Sequence, residues 1–223
     1  MSILEKEFRG QKFSFHETPE AQVLIDEIFS DNYKVFEKGI EFRDGDVIVD
    51  VGANEGFFSI MIAKLFPKTR VIAIEPIPKT VATLSKNIVL NSTLNVEVFP
   101  YCVSAPGQKA VKFIVSKDFS GGSTSKCTFN PEHHYEVEVP AFPLDQVFDI
   151  LRIDRCRLMK MDIEGAEYEV LYPSSVLEKT DYFTGEIHSN LRLECEGRRM
   201  VGLASWISNR TQCIHLEPCN MAE

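Results

Sequence analysis

Three acidic residues, Asp50, Glu75 and Asp162, each lie at the end of a short run of apolar residues. Such runs are typical of buried parallel strands, and ligands of parallel sheets bind beyond the carboxyl ends of the strands. A carboxylate at that edge would repel a pyrophosphate and attract a ligand that bears positive charge. A carboxylate such as Glu75 also has two oxygens that could accept hydrogen bonds from two neighbouring hydroxyl groups. We therefore expect these acidic residues to belong to one ligand site.

The segment after Asp50 has the features of a nucleotide-binding turn between a strand and a helix. We expect free N–H groups of this turn to face the ligand, and Gly52 and Gly56 to allow a close backbone approach. Asn54 occupies the place where a dinucleotide fingerprint has its second glycine, which disfavours NAD. S-adenosylmethionine, which carries a sulfonium and an ammonium group, suits an acidic turn better. The sequence thus predicts this methyl donor, with Glu75 on its ribose and a left-handed Asn54 on its methionine part.

Four further residues are candidates for the chemistry of the acceptor. Lys160 and Asp162 point the same way from one strand, and Glu186 and His188 share a face of a later strand. A lysine inside an apolar strand is costly unless it is paired, and Asp162 is its expected partner. We expect Asp162 to orient or deprotonate an acceptor hydroxyl, with a structural ion pair as the alternative. His188, with a pKa near ~6.5, is a second candidate for the base, although it could equally be structural.

Methyl transfer from a sulfonium is a direct displacement, which limits what such a site must provide. The acceptor must be aligned about 3 Å from the methyl carbon, and a hydroxyl acceptor must also lose its proton to a base. Asp162 and Glu186 could instead hold Mg²⁺, but no ligand spacing in the sequence demands a metal. Glu164 and Glu167 flank Gly165 at a predicted helix start, where Glu167 would be stabilised by the helix dipole and Glu164 could contact substrate.

The elements that must position these residues alternate between strands and helices. This alternation predicts an α/β fold, a Rossmann-like doubly wound and mostly parallel sheet with right-handed crossovers. The predicted parallel strands are 47–51, 71–75, 96–99, 158–162 and 182–188, with 212–216 as a last candidate. One domain is expected over 1–223, with a Rossmann-like core at 46–217.

Other segments depart from this rhythm. Residues 1–45 are predicted to form a helical cap, because apolar residues recur at helical spacing over 21–29 after a Thr18-Pro19 start. Residues 105–140 are predicted to be an antiparallel excursion, with a flexible loop at 120–125 and an edge strand at 135–139. Residues 144–148 are expected to form a short helix, and 191–209 a single helix that carries Trp206.

Composition excludes several classes of protein. A net charge of −9 without a basic patch argues against nucleic acid as the main partner. No apolar run is long enough to cross a membrane. Six cysteines without C-x-x-C spacing, in a chain whose start lacks a secretory signal, indicate reduced thiols and a cytoplasmic location. The expectation of a small-molecule acceptor rests on the family resemblance described below and not on composition.

Three blocks, at 49–59, 71–76 and 159–171, resemble the FkbM-type methyltransferases, a branch of the Rossmann-like S-adenosylmethionine enzymes. The resemblance spans about 45 to 190. It implies methyl transfer, commonly to a hydroxyl oxygen of a sugar or secondary metabolite. Many related enzymes place an aspartate after the third strand to bind adenine, whereas this chain has Phe99-Pro-Tyr-Cys-Val-Ser104. The adenine is therefore expected to be held by backbone, by Ser104 or by apolar stacking.

Three alternatives remain at this point. An N-methyltransferase that acts on a small-molecule amine is the nearest. An NAD-dependent oxidoreductase is disfavoured by the missing glycine at position 54. A noncatalytic module that retains the cofactor fold is disfavoured by the intact acids at 50, 75, 162 and 186.

Overall fold

The structure of the chain is a computed structural model that describes residues 2–117, 122–123 and 130–220, without the side chains of 122, 123 and 192. Its strands are β1 (Ile3–Phe8), β2 (Gln11–His16), β3 (Val47–Val51), β4 (Arg70–Ile74), β5 (Val96–Phe99), β6 (Cys102–Ser104), β7 (Ala110–Ser116), β8 (Gly122–Ser123), β9 (His134–Pro143), β10 (Cys156–Met161), β11 (Thr180–Ser189) and β12 (Gln212–Asn220). Its helices are α1 (Ala21–Phe29), α2 (Phe57–Leu65), α3 (Pro78–Asn91), α4 (Leu144–Ile150), α5 (Glu167–Leu171), α6 (Leu191–Cys195) and α7 (Met200–Ser208).

The central sheet has six strands in the order β12-β11-β10-β3-β4-β5, and all of its pairings are parallel. The chain leaves β3 towards β4 and β5, and later returns to build β10, β11 and β12 on the other side. This confirms the predicted α/β, doubly wound sheet. The strand order reverses between β3 and β10, and the crevice beyond the strand ends at such a reversal is where ligands of these sheets bind.

Both faces of the sheet are covered, as the continuous apolar strands predict. On one face, Ile48, Val71 and Leu158 pack under the first two strands, α1 and α2. On the other face, Val49 and Met159 pack with residues of α4, α5 and α7. Because side chains alternate along a strand, these two sets fix which neighbouring residues point to each side.

The N-terminal segment differs from the helical cap predicted for 1–45. The helix at 21–29 is confirmed, but 3–16 form an antiparallel hairpin whose turn residues Arg9 and Gly10 both have positive φ. Thr18 does not cap α1; its hydroxyl donates to Glu55 instead. Residues 3–8 and 11–16 alternate in burial with the period of a strand, so the prediction of a helical cap is wrong for this part of the segment.

Two asparagine side chains of α3 bind the hairpin to the core. Asn91 of α3 accepts from the Ser14 N–H at 3.0 Å, and Asn87 accepts from the His16 N–H at 2.9 Å. These side-chain amides satisfy the edge of β2 that no strand covers. The arrangement holds β2 against α3.

The excursion after β5 forms a second sheet in the order β6-β9-β7-β8. Strand β9 is antiparallel to β7 and alternates in burial over 135–139, as predicted. It pairs with β6 only through 141–143, so among the described residues 135–139 form an edge, which confirms the prediction. Most of the loop predicted at 120–125 lies outside the described residues. The short helix near 144–148 is confirmed as α4.

At the C-terminal end, 191–209 form two helices and not one, because the chain turns at Gly197 with φ +80°. Strand β12 extends the parallel sheet beyond the predicted 212–216. The five cysteines among the described residues are free thiols. No described helix has the length and apolar character that crossing a membrane requires.

Candidate active site

A cavity of about 520 Å³ lies beyond the carboxyl ends of β3, β4, β10 and β11. The turn after β3 and the end of β4 line one part of it, which we call the donor end: Gly52, Ala53, Asn54, Glu75 and Ile77. The other part, which we call the acceptor end, is lined by Glu27, Tyr33, Lys160, Asp162, Glu164 and Glu186. The volume is in the range of small-molecule and cofactor sites.

The backbone amides of the turn after β3 are already engaged within the protein. The N–H groups of Gly52 and Ala53 both donate to the Ile74 carbonyl at 3.0 Å, and that of Gly56 donates to Ala53. The Asn54 N–H donates to Glu75 at 3.1 Å. The prediction of free amides facing the ligand is therefore wrong for these residues, and they cannot cradle a phosphate as a dinucleotide-binding turn does.

Asn54 has the left-handed conformation predicted for it, with φ +49°. Its side chain lies at the wall of the cavity. The Oδ1 atom is buried and has no hydrogen-bond partner among the described residues. A buried acceptor without a partner is costly, so this atom fits a ligand that donates a hydrogen bond.

Glu75 lies at the donor end with both carboxylate oxygens oriented by backbone amides. Oε2 accepts from the Asn54 N–H at 3.1 Å and Oε1 from the Ile77 N–H at 2.8 Å. Burial raises the pKa of Glu75 to about 7, although these hydrogen bonds and the charge of Lys160 lower it in part. Each oxygen has a second lone pair, so the carboxylate can still accept from a ligand.

The two glycines of the turn allow close packing of protein against protein. A Cβ atom on Gly52, where φ is +80°, would lie 1.9 Å from the Asp162 carbonyl oxygen. A Cβ atom on Gly56, where φ is +87°, would lie 2.1 Å from Leu84 of α3. Gly52 lines the cavity, whereas Gly56 is not among its lining residues. The expected backbone approach to the ligand is thus, at Gly56, an approach to a neighbouring helix.

Asp50 lies beneath the turn and not in the cavity. It is fully buried, accepts from the Ser59 hydroxyl at 2.7 Å and lies 3.4 Å from the Lys160 ammonium. The alternation of side chains along β3 directs it towards α2. Asp50 is therefore not placed to contact a ligand directly, in contrast to the prediction, and can act only through Lys160 and the turn.

Lys160 joins the ends of β3 and β10. Its Nζ donates to the Gly52 carbonyl at 2.9 Å and lies nearer to Asp50, at 3.4 Å, than to the expected partner Asp162, at 3.8 Å. Burial alone would lower the pKa of Lys160, but the charges of Asp50, Asp162 and Glu186 outweigh burial and raise it. A permanently charged lysine holds the turn and balances the carboxylates, and it is not suited to exchange protons.

At the acceptor end, Tyr33 bridges two of the predicted catalytic carboxylates. Its hydroxyl lies 3.3 Å from Asp162 Oδ2 and 3.2 Å from Glu186 Oε1. Its backbone carbonyl accepts from the Thr184 hydroxyl at 2.8 Å, which fixes the segment after α1 over β11. Tyr33 was not predicted to belong to the site, because the residues around it in the sequence do not distinguish it from an aromatic residue of the core.

His188 lies among acidic residues, as the prediction that it shares a face with Glu186 requires. Its Nδ1 is 2.9 Å from Glu167, whose carboxylate is buried and also accepts from the N–H groups of Ile163 and Gly165. Burial lowers the pKa of His188, but the Glu167 hydrogen bond and the charges of Glu167, Glu164 and Asp162 raise it to about 9. The expected value near ~6.5 is wrong, and His188 is protonated at neutral pH unless another cation replaces its proton.

The predicted residue Ser104 does not line the cavity, whereas Cys219, which was not predicted, contacts one of its carboxylates. Ser104 is buried and donates to the backbone carbonyls of Ala105 and Gln108. It is not among the residues that line the cavity, whereas its neighbours Cys102 and Val103 are. Cys219 of β12, which no sequence pattern indicated, donates to Glu186 Oε2 at 3.0 Å.

The fold and this cavity point to one class, the S-adenosylmethionine-dependent methyltransferases. The chain belongs to the methyltransferase FkbM domain family, whose model matches residues 50–194. This confirms the resemblance described above and identifies the chain as a methyltransferase enzyme that uses S-adenosylmethionine as its methyl donor.

Two individual proteins that are named as methyltransferases also match this chain. The chain is 27% identical over 193 residues to "Methyltransferase 1" of Beauveria bassiana, covering 77% of this chain and 76% of that protein. It is 44% identical over 70 residues to the 31-O-demethyl-FK506 methyltransferase FkbM of Streptomyces tacrolimicus, covering 31% and 26%. Among solved structures, a precorrin-6y C5,15-methyltransferase from Geobacter metallireducens overlaps with a TM-score of 0.43 at 14% identity, covering 78% of this chain and 69% of that one. That overlap is too low to support any argument.

Proposed function

We propose that the enzyme transfers the methyl group of S-adenosylmethionine to a hydroxyl oxygen of a small molecule. The observation that carries this proposal is the carboxylate of Asp162, which lines the acceptor end of the cavity and has a buried Oδ1 without a hydrogen-bond partner among the described residues. A hydroxyl is a weak nucleophile until a base takes its proton, and a positioned carboxylate can be that base.

The donor end fits S-adenosylmethionine group by group. Glu75 has lone pairs for the ribose hydroxyls, and Asn54 Oδ1 has room for a donor such as the ammonium group. The cavity has a strongly acidic acceptor end, which attracts the sulfonium. When bound, the donor supplies an electrophilic methyl group, and the protein orients the acceptor and holds its proton.

Tyr33 and Lys160 support Asp162 in this role. The Tyr33 hydroxyl holds Asp162 Oδ2, so that Oδ1 is left for the acceptor. Lys160, at 3.8 Å, keeps a positive charge beside the carboxylate. The role of Lys160 is therefore to position and balance, and we assign the base function to Asp162 and not to His188.

A relative supports oxygen as the acceptor atom. The Streptomyces tacrolimicus protein is named for a 31-O-demethyl substrate, and its match to this chain is the highest in identity of those given above. The proposal for this chain extends only to the class of acceptor, a hydroxylated small molecule such as a sugar or secondary metabolite.

The test is transfer of a labelled methyl group from S-adenosylmethionine to a panel of hydroxylated metabolites and small-molecule amines. Mass spectrometry of each product then locates the new methyl group. Transfer to oxygen is expected. Transfer to amines alone would show that the enzyme is an N-methyltransferase, and binding of the donor without transfer to any member of a broad panel would favour a noncatalytic module.

Replacement of Glu75 is expected to weaken donor binding and to remove its dependence on pH. A ribose donates hydrogen bonds to the carboxylate and so favours its ionised form, which the buried Glu75 adopts only as pH rises through about 7. The affinity of the wild type should therefore rise with pH up to about 7, with release of a proton on binding below that pH. Glu75→Gln should bind roughly 10–150-fold more weakly at pH 8, since a hydrogen bond to a charged group contributes about 1.5–3 kcal/mol.

Calorimetry of S-adenosylmethionine binding between pH 6 and pH 8 measures both effects. Glu138→Gln, which changes an exposed glutamate of β9, is the matched control and should behave like the wild type. Equal affinity and the same pH dependence in Glu75→Gln would exclude Glu75 from the donor site.

A further inference from the structure

The ring of His188 faces a group of ligand atoms that come from three different parts of the chain. Its Nε2 lies 3.6 Å from Glu164 Oε2, 3.7 Å from Glu186 Oε2 and 3.8 Å from Asp162 Oδ1. The thiol of Cys219 is a further member: one ligand atom each from Glu186, His188 and Cys219 lie within 4.8 Å of one another, as do those of Asp162, Glu164 and His188.

These distances are too long for hydrogen bonds and suit atoms that share one ion. Hydrogen bonds to a ring nitrogen have lengths near 2.7–3.2 Å. Two ligands bound at ~2.0–2.2 Å to the same metal are separated by ~3–3.6 Å, so only small shifts would be needed. His188 is 4% exposed, and among the described residues its Nε2 makes no hydrogen bond. Asp162 Oδ1 is likewise buried without such a partner.

Other residues bind the atoms of these side chains that lie on the far side of the group. The remaining atoms of Asp162 and Glu186 therefore face Nε2 of His188. The Tyr33 hydroxyl engages Asp162 Oδ2 and Glu186 Oε1, the oxygens on the far side from His188. The buried Glu167 engages His188 Nδ1 at 2.9 Å. A carboxylate on one ring nitrogen of a histidine, which directs the other towards a metal, is the usual outer shell of a metal-ligating histidine.

From this geometry we propose that His188, Asp162 and Glu164 bind one divalent transition-metal ion, with Glu186 and Cys219 as the alternative pair of ligands beside His188. The imidazole nitrogen, and the thiol if it binds, favour Zn²⁺ over Mg²⁺, which prefers oxygen ligands alone. Mn²⁺, a harder ion that suits carboxylates, is the second ion to test. The ion takes the place of the proton on Nε2 and neutralises the carboxylates around it. This departs from the expectation that the site needs no metal.

The place of the ion at the acceptor end suggests its use, and this part rests on the proposed function. A hydroxyl that binds at an open position of the ion would be held beside the methyl group and would lose its proton more readily, as metal-bound water does. Asp162 is then both a ligand and the group next to the departing proton. The ion would thus act on the acceptor and not on the donor.

Metal binding can be measured without any methyl acceptor. Protein stripped with EDTA and dialysed should bind one equivalent of Zn²⁺ or Mn²⁺ by calorimetry, and Mg²⁺ much more weakly. His188→Gln should lower the affinity for Zn²⁺ at least ~100-fold, since it removes a ligand whose outer-shell partners alone contribute 10–100-fold. His215→Gln is the matched control, because His215 faces a carboxylate, Glu217, outside this group, and it should bind like the wild type.

Two additional measurements separate a metal site from a structural histidine. S-adenosylmethionine affinity in His188→Gln should stay within about threefold of the wild type, which shows that the variant is folded. Cys219→Ser should weaken Zn²⁺ binding more than Mn²⁺ binding if Glu186 and Cys219 are the ligands beside His188, and equal effects on both ions would assign these places to Asp162 and Glu164. No saturable binding of either ion, or equal binding by wild type and His188→Gln, would overturn the proposal.

The failure of this proposal and of the proposed function can be told apart. If protein that binds Zn²⁺ without EDTA transfers the label fully to a hydroxyl when EDTA is present, the ion has no role in the reaction. The proposal of O-methylation would still stand. Metal binding that is lost in His188→Gln, with transfer to amines alone, would support the site and contradict the hydroxyl acceptor.

Discussion

Gly52→Ala is expected to destabilise the protein by several kcal/mol and to abolish binding of S-adenosylmethionine. The added Cβ would lie 1.9 Å from the carbonyl oxygen of Asp162, which is backbone and cannot rotate away. The φ angle of +80° adds a cost of about 1–2 kcal/mol for a residue with a side chain. The ends of β3 and β10 would have to separate, which breaks the hydrogen bond from the Asp162 N–H to Val51.

Gly107→Ala separates these two causes. Gly107 has φ +89°, but a Cβ there would meet no atom within 4 Å, so only the backbone cost applies. Urea unfolding of both variants gives the free energies of unfolding, and Gly52→Ala should lose at least about 2 kcal/mol more than Gly107→Ala. Equal losses would mean that the ends of β3 and β10 are not in the close contact described above.

Asp162→Asn is expected to lower turnover by ~10²–10⁴, the usual effect of losing a general base. The amide keeps the shape and can still accept from Tyr33, but it has no negative charge with which to receive a proton. Donor affinity should change far less than turnover, because the proposed donor contacts, Asn54 and Glu75, lie at the other end of the cavity. Steady-state label transfer to the acceptor found in the panel measures the rate.

Asp149→Asn, on the exposed side of α4, is the control for this variant and should retain full activity. A drop in kcat with little change in KM for the donor is the expected signature. If Asp162→Asn retains full activity, the base function must lie elsewhere, and Glu186 would be the next carboxylate to replace.

The parts of the fold that depend on local pattern could be predicted. Continuous apolar runs predicted the strands β3 and β4 correctly, because a strand that is buried on both faces requires such a composition. The hairpin at 3–16 had a signal too. Phe13 and Phe15 alternate with polar residues after Gly10, and both are fully buried. It was missed because the helical stripe that follows dominated the interpretation of the segment.

The sequence predicts which residues lie at the ends of strands, but it does not predict which side chains they contact. The positions of Glu75 and Asp162 follow from the strand ends, and both lie at the cavity. The partners could not be predicted, since the contact of Tyr33 with Glu186 and that of Glu167 with His188 join segments with no common local pattern. The pKa of His188 depends on those contacts, which is why an ordinary value was expected.

The bridge formed by Tyr33 joins the segment that the family model matches to a residue that precedes this segment. The family match covers 50–194, which contains Glu75, Asp162 and Glu186 but neither Tyr33 nor Cys219. The donor end is thus built within the segment shared with the family, while the acceptor end borrows a hydroxyl from before it and a thiol from after it. A fragment cut at the bounds of the family match would keep Asp162 and Glu186 and lose Tyr33 and Cys219, which contact them. The residues that the family model matches are therefore fewer than those that form the acceptor end.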